Sequence, residues 1–499
     1  MRDLKSIFPQ DEYDLVIIGG GINGAAIANI AAGQGLKVAL VEKEDFAGGT
    51  SSKSTKLIHG GLRYLEHFEF DLVRESLRER FIQLKNVPHL VRPLAFVVPV
   101  YRGDRRPLWM MRLGVFLYDL LSGRYVIERH RSLTAGEVLD LNPGLRREGL
   151  LGGVMYFDAW MDDARLCLEN VLNARARGAD VANYVEAVSF LKTRDRVVGV
   201  HVRDVLSAQD MTLKARRVVA AAGPWTNEVL RLDAPQAPPK VRMTKGVHLV
   251  YQQKFSERAL LLQTRKDARF FFIIPWGNHS LIGTTDTDYA GRPDDVEVGQ
   301  EDIDYLLAEA RRIFPDIPFR GENIVTTFAG LRPLVLAPGA PGAVSRRHVI
   351  EENASGVIYV MGGKYTTYRA IAEECVSRVM GGRKFNLGME YPLYGSGTIG
   401  DDVTVLAEQC GVPTETLDHL KSRYGTRCRE VLALVGQDRS LGKLICSCSP
   451  AIAAQVVYAI KTELAQTADD IIWRRMGIGY GYCPTKQCRR VIDLYMKNG

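Results

Sequence analysis

The 499-residue chain contains no run of about 18 apolar residues, which excludes a membrane-spanning helix. Its N-terminus lacks a basic segment followed by a cleavage site, so no signal peptide is expected. Cysteine is sparse: of eight residues, six (Cys410, Cys428, Cys446, Cys448, Cys483 and Cys488) fall after position 400. That distribution is unlike a disulfide framework spread through a secreted fold, and it makes a cytoplasmic, reducing compartment the expectation. No block of like charge occurs either. The net charge of +7 is mild, and arginines come as scattered pairs such as Arg105–Arg106 and Arg216–Arg217. This argues against a nucleic-acid partner and suits an anionic substrate or an acidic membrane surface. No internal repeat is visible, and the length predicts about two to four globular domains.

What is present begins with Tyr13–Glu42, YDLVIIGGGINGAAIANIAAGQGLKVALVE. The apolar run Leu15–Ile18 predicts a strand buried on both faces. Gly19, Gly21 and Gly24 follow in G-x-G-x-x-G spacing, then a helix over Ala25–Ala32, then a strand over Val38–Val41 ending in Glu42. The glycines turn the chain and let backbone approach a pyrophosphate. The helix N-terminus faces that charge, and Glu42 can accept ribose hydroxyls. Together they predict a dinucleotide site. FAD is favoured over NAD because the motif lies at the start of a long chain that returns to the nucleotide later.

The returns are readable. Gly48-Gly49-Thr50-Ser51-Ser52-Lys53-Ser54-Thr55-Lys56-Leu57-Ile58-His59-Gly60-Gly61-Leu62-Arg63-Tyr64 is a polar, glycine-rich loop placed to run beside the cofactor. Met211–Ala221 reads as a buried strand breaking at Gly223-Pro224, and Val357–Met361 as an apolar one, followed by Gly362-Gly363-Lys364 and a helix. Short strands with turn residues over 235–343 predict a mainly antiparallel substrate domain. Residues 381–400 read as a linker, and 401–499 are helical in pattern. Earlier in the chain, Arg105–Arg124 is apolar with arginines at both ends: either a core helix or one lying in a membrane interface.

These residues carry a resemblance to the FAD-dependent glycerol-3-phosphate dehydrogenase family, within the D-amino-acid-oxidase-like flavoproteins. The matching stretches include VIIGGGINGAAIA, LIHGGLRYLEHFEF, WMDDARL, AAGPWTNEV, TKGVHLV, FAGLRPL and GGKYTTYRAIAE. The resemblance implies an α/β fold with a discontinuous Rossmann-like FAD-binding domain (about 11–65, 150–234 and 344–385). A mainly antiparallel substrate domain (66–149 and 235–343) and a helical C-terminal domain (386–499) complete it. It further implies oxidation of sn-glycerol 3-phosphate to dihydroxyacetone phosphate, electron transfer to quinone, and peripheral association with the cytoplasmic face of a membrane. Homodimerisation is left open.

A phosphorylated polyol needs fixed cations, and Arg63, Arg332 and Lys364 lie in the matched motifs with Tyr64 as a hydroxyl partner. Hydride loss from C2 requires a base for the C2 hydroxyl proton. His59 and His248 are the candidates, and the resemblance favours His59. Thr50, Ser51, Ser52 and Ser54 are candidate pyrophosphate donors, with Ala222, Gly223, Gly362, Gly363 and Thr366 as further cofactor neighbours. The helix beyond Gly363 would stabilise negative charge on reduced flavin.

Cys446-x-Cys448 and Cys483-x4-Cys488 can hold a two-iron, two-sulfur cluster, with zinc or unligated thiols as alternatives. A cluster would redirect electrons to partner subunits. The rival functions are a glycerol-3-phosphate oxidase using oxygen, an FAD-dependent amino-acid oxidase, and a catalytically silent flavin-bound relay subunit.

Overall fold

The computed structural model describes residues 3–498 except 266, 268, 337–343, 346 and 482–486. Its first unit forms as the hydrophobic pattern dictates. The strands Tyr13–Ile18 and Val38–Glu42 run parallel, with Leu15 opposite Val38 and Ile18 opposite Val41. Their central runs Leu15–Ile18 and Val38–Val41 are apolar because a parallel sheet is covered on both faces. Leu15, Val16 and Ile17 are fully buried. The helix Ile22–Gly33 lays an alanine-rich surface on them. At Gly24 a Cβ would collide with the Gly19 carbonyl oxygen, and Gly19 itself takes φ +107, a conformation open to glycine.

This sheet gathers segments far apart in the chain. Its order is Val349–Glu352, Val357–Met361, Asp210–Ala220, Tyr13–Ile18, Val38–Glu42 and Asp180–Asn183, and the hairpin Val185–Thr193/Arg196–Asp204 extends from Asp210–Ala220. Val357–Met361, Asp210–Ala220 and Tyr13–Ile18 are parallel neighbours, so their carboxyl ends emerge on one edge. The turns that follow are Gly362-Gly363, Ala221–Gly223 and Gly19–Gly21. Ligands of open α/β sheets bind at that edge.

A second, mainly antiparallel sheet stands beside it. Val241–Tyr251 pairs with Ile324–Leu336 on one side and His279–Gly283 on the other. Val91–Tyr101 pairs with Leu150–Met161, and Leu57–Ile58 from the polar loop joins the edge. Leu150–Met161 thus pairs in the second sheet, although it falls within a range read from the sequence as nucleotide-binding.

The C-terminal helices Asp402–Gln409, Thr414–Tyr424, Cys428–Gln437 and Ala453–Lys461 close over Leu420, Val431, Leu432 and Val435. Buried ion pairs dock this part on the first sheet's helices and loops. Arg475 grips Asp45 through two bonds (2.6 and 2.8 Å), and Arg165 meets Glu463 at 2.5 Å.

The helix Leu108–Ser122 buries one apolar face and leaves another exposed. Met111, Val115 and Tyr118 are buried, whereas Trp109, Leu113, Phe116 and Leu120 are 50% to 66% exposed. Spacings of three and four put each set on its own side.

Candidate active site

A cavity of about 670 Å³ lies at the carboxyl edge of the first sheet and is walled on its other side by the second. Gly19, Gly21, Glu42, Ala222, Gly223, Gly362 and Gly363 form one wall. His59, Arg63, Tyr64, His248, Arg332 and Lys364 form the other, so the six residues read as catalytic share one space.

The first wall is chiefly backbone. Glu42 reaches back and accepts the N–H groups of Gly20 (2.6 Å) and Glu44 (2.9 Å), which braces the glycine turn. Burial holds its carboxyl above the ordinary range. Ser51 Oγ accepts the Ile22 N–H at 2.9 Å, capping the motif helix and keeping its own proton free to donate. Thr50 and Ser54 also line the cavity, but their protons go to the Leu331 carbonyl (2.6 Å) and the Asp163 carboxylate (2.7 Å). Ser52 does not line it; the Ser52 carbonyl accepts a bond from Lys56 at 2.7 Å. Gly24 sits behind the wall, where its role is the close approach of helix and strand. Thr366 clamps the His59 backbone, accepting its N–H (3.1 Å) and donating to its carbonyl (3.2 Å). A dinucleotide fits this wall. It offers glycine backbone, a helix N-terminus and an acidic acceptor, and a Cβ at Gly49 would meet the Trp225 ring.

The second wall is made of side chains from several elements. Arg332 extends from the strand Ile324–Leu336 and is held by Thr284 Oγ1 (2.9 Å) and Asp286 (3.2 Å). Burial first, offset by Asp286 and reinforced by Arg63, lowers its pKa. Lys364 lies 3.7 Å over the Tyr64 ring and donates to Ser76 Oγ at 3.2 Å. Burial is the main force that takes it down to about 7, with Glu69 and Glu75 opposing and Arg63 assisting. His59 is pushed down to about 3 by burial, then by Lys364, Arg63 and Arg80. His248 is held well below its ordinary value by burial, Arg332 and Lys56. In both imidazoles burial and the nearby cations disfavour the protonated form. Thr284 and Asp286 line the cavity, whereas Thr285 between them is buried, its Oγ1 accepting the Val247 N–H at 3.0 Å.

The structure adds residues that the motifs did not single out. Thr55 lines the cavity and places Oγ1 3.0 Å from His248 Nε2. Arg269, just before the strand Phe270–Trp276, lines it too and donates to the Asp286 carbonyl at 2.6 Å. Beneath His59, the Gly60 N–H donates to Tyr118 Oη (2.7 Å), which in turn donates to Asp158, itself paired with Arg80 at 2.6 Å. Phe96, Tyr156 and Phe272 supply apolar lining. Thr55 and Gly60 stand in the glycine-rich loop and the others outside the glycine-flanked motifs; in each case contacts across the fold, not spacing, identify the role.

The cysteine pairs behave differently. Cys446 and Cys488 are joined as a disulfide with Cα atoms 5.3 Å apart, Cys448 is exposed, and Cys483 lies outside the described residues. Sulfur in a disulfide is no thiolate ligand. Among the described residues no group of three or more His, Cys, Asp or Glu could hold a metal ion. The set expected for a cluster or zinc is thus not assembled in this structure.

Comparison with known proteins agrees with this geometry. The model of the FAD dependent oxidoreductase family matches residues 14–374, and that of the C-terminal domain of alpha-glycerophosphate oxidase matches residues 388–496. A glycerol-3-phosphate dehydrogenase of Synechocystis is 39% identical, covering 96% of this chain and 91% of its own length. An aerobic glycerol-3-phosphate dehydrogenase of Staphylococcus aureus is 37% identical, covering 96% and 89%. The crystal structure of the Bacillus halodurans glycerol-3-phosphate dehydrogenase complexed with FAD superposes with a TM-score of 0.82 at 30% identity, over 98% of this chain and 91% of that one.

Proposed function

The chain belongs to the FAD-dependent oxidoreductases, in their glycerol-3-phosphate dehydrogenase branch, and from that premise we propose that it oxidises sn-glycerol 3-phosphate to dihydroxyacetone phosphate and delivers the electrons to quinone at a membrane surface. The observation that carries the reading is the convergence of Arg63, Arg332 and Lys364 on one cavity wall. Like charges crowd together at a cost unless an anion neutralises them, and a phosphate dianion with three acceptor edges suits two arginine forks and an ammonium. An amino acid would call for one carboxylate-binding arginine and leave the others without a role.

Bound in the cavity, FAD supplies the acceptor for the hydride that leaves C2. The chain's own task is to take the C2 hydroxyl proton and hold the alcohol in place. His59 is the group assigned to that proton. Its basicity is lowered by burial and then by Lys364 and Arg63, two of the cations assigned to the phosphate. A dianion resting on those cations removes part of that penalty, so substrate binding itself raises the basicity of His59.

The outer face of Leu108–Ser122 supports the membrane contact. Trp109, Phe116 and Leu120 can enter the apolar boundary while Arg105, Arg112 and Arg124, all exposed, meet anionic headgroups. On its buried side the helix meets Leu62, next to the cavity-lining Arg63.

Anaerobic addition of glycerol 3-phosphate is expected to bleach the flavin; a flavin that stays oxidised sinks the proposal. Reoxidation by a short-chain quinone is expected to outpace reoxidation by air. The reverse order makes the protein an oxidase.

A further inference from the structure

Lys56 lies directly behind the cavity wall, between Thr55, which faces the cavity, and Leu57, which pairs in the second sheet. It is 2% exposed and takes φ +61, a conformation that side-chain-bearing residues rarely adopt. A buried ammonium is tolerated only with partners close at hand. Its Nζ donates to the Asp163 carboxylate and, at 2.7 Å, to the Ser52 carbonyl. Three rings enclose it: Trp276 and Phe328 with centres 5.7 and 5.5 Å away, and Tyr480 at 5.1 Å. Trp276 and Phe328 belong to the second sheet, whereas Tyr480 comes from the C-terminal part.

Phe328 carries the arrangement through to the cavity. It also stacks on His248, with ring centres 4.9 Å apart and planes 16° from parallel. His248 sits in register between Phe328 and Gly283 on neighbouring strands, and a Cβ at Gly283 would strike its ring. Asp163 acts on the same loop twice more, accepting the Ser54 hydroxyl (2.7 Å) and N–H (3.2 Å). One buried carboxylate thus fixes residues 54 and 56, and Thr55 between them is presented to His248 Nε2.

We propose that Lys56 is a positioning residue for the reaction: anchored by Asp163 and caged by rings that Tyr480 completes, it fixes the Thr55–His248 pair at the cavity wall and makes the C-terminal domain part of the active site's support. The groups facing His248 are Thr55 on the loop, Arg332 on the adjacent strand, the apolar Phe328, and Lys56 behind that ring; Asp286 pairs Arg332. Burial works against the charge of Lys56, and Asp163 more than offsets it, so the ammonium persists and opposes protonation of His248. Loss of that charge has a signature that loss of packing does not: His248 becomes easier to protonate.

The kinetic arm of the test rests on the proposed alcohol oxidation; the titration arm does not. In full-length, FAD-loaded protein, ¹⁵N-NMR of the histidines is expected to show His248 titrating about one pH unit or more higher in Lys56→Met than in the unaltered chain. Flavin reduction by glycerol 3-phosphate is expected to slow at least threefold with KM unchanged, and Lys56→Arg to restore both. A folded Lys56→Met with an unmoved His248, or a shift that Lys56→Arg does not reverse, overturns the assignment. Tyr480→Leu serves if Lys56→Met does not fold, because it opens the cage and keeps the ion pair. Slower flavin reduction with an unmoved His248 supports the proposal there, and wild-type reduction overturns the role of the C-terminal domain. Absence of flavin reduction in the unaltered chain counts against the substrate reading alone, since His248 still reports.

Discussion

The two walls of the cavity are built by different rules. The nucleotide wall consists of the turns after three neighbouring parallel strands, and its working atoms are backbone groups exposed by glycine. The opposite wall consists of side chains, and each owes its position to a neighbour: Arg332 to Thr284 and Asp286, Lys364 to Tyr64 and Ser76, His248 to Phe328 and Thr55. A wall of backbone recognises what every dinucleotide shares and tolerates change in side chains. A wall of side chains recognises one small molecule and is as precise as the packing behind it.

The contrast can be broken from either side. Gly24→Val attacks the first wall alone, since any Cβ there collides with the Gly19 carbonyl; the protein is expected to purify without FAD, read as visible absorbance per mole. Full flavin content in that variant would erase the distinction. His59→Ala attacks the opposite wall at the assigned proton acceptor, and stopped-flow flavin reduction is expected to slow by about 10²- to 10³-fold with FAD retained. Arg332→Ala is expected to raise the KM for glycerol 3-phosphate by at least about tenfold, roughly 1.4 kcal/mol, again with FAD bound. An unchanged KM removes Arg332 from the phosphate site.

Smaller effects sharpen the same comparison. Replacing Trp109 and Phe116 by Ser is expected to weaken binding to anionic vesicles by about tenfold while kcat with a soluble acceptor holds, because each loses apolar contact with the interface. Equal binding would leave the exposed face unexplained. Lys364, brought down to about 7 chiefly by burial, is charged below that pH and increasingly neutral above it. A cation that assists phosphate binding is then lost as pH rises, so kcat/KM is expected to decline about threefold above pH 7 for the unaltered chain. Lys364→Arg should flatten that limb, since guanidinium stays charged. The pH profile of kcat/KM checks both statements.

The difference between the walls also explains what the chain made legible. Gly19, Gly21 and Glu42 could be read directly because their spacing is local: strand, turn, helix and strand follow one another within about 30 residues. His59, Arg63 and Tyr64 were readable for the same reason, standing in one glycine-flanked loop. Thr55, Arg269 and Lys56 were not, since their meaning depends on His248, Asp286 and Tyr480, each far along the chain. The cysteine pairs mark the opposite failure. Their spacing suggested four thiolates around a metal, but Cys446 and Cys488 bond to each other, and spacing alone cannot say which sulfur meets which.

By itself the sequence determined the parallel sheet and the dinucleotide turn, because apolar periodicity and glycine spacing act over a few residues and need no distant partner. Only the tertiary structure decided that Arg63, Arg332 and Lys364 share a cavity, that burial and nearby cations lower the pKa of both histidines there, and that Tyr480 of the C-terminal part packs around Lys56 behind its wall. Those outcomes depend on burial and on charges brought together from separate elements. Both are properties of the folded surface and not of any stretch of chain.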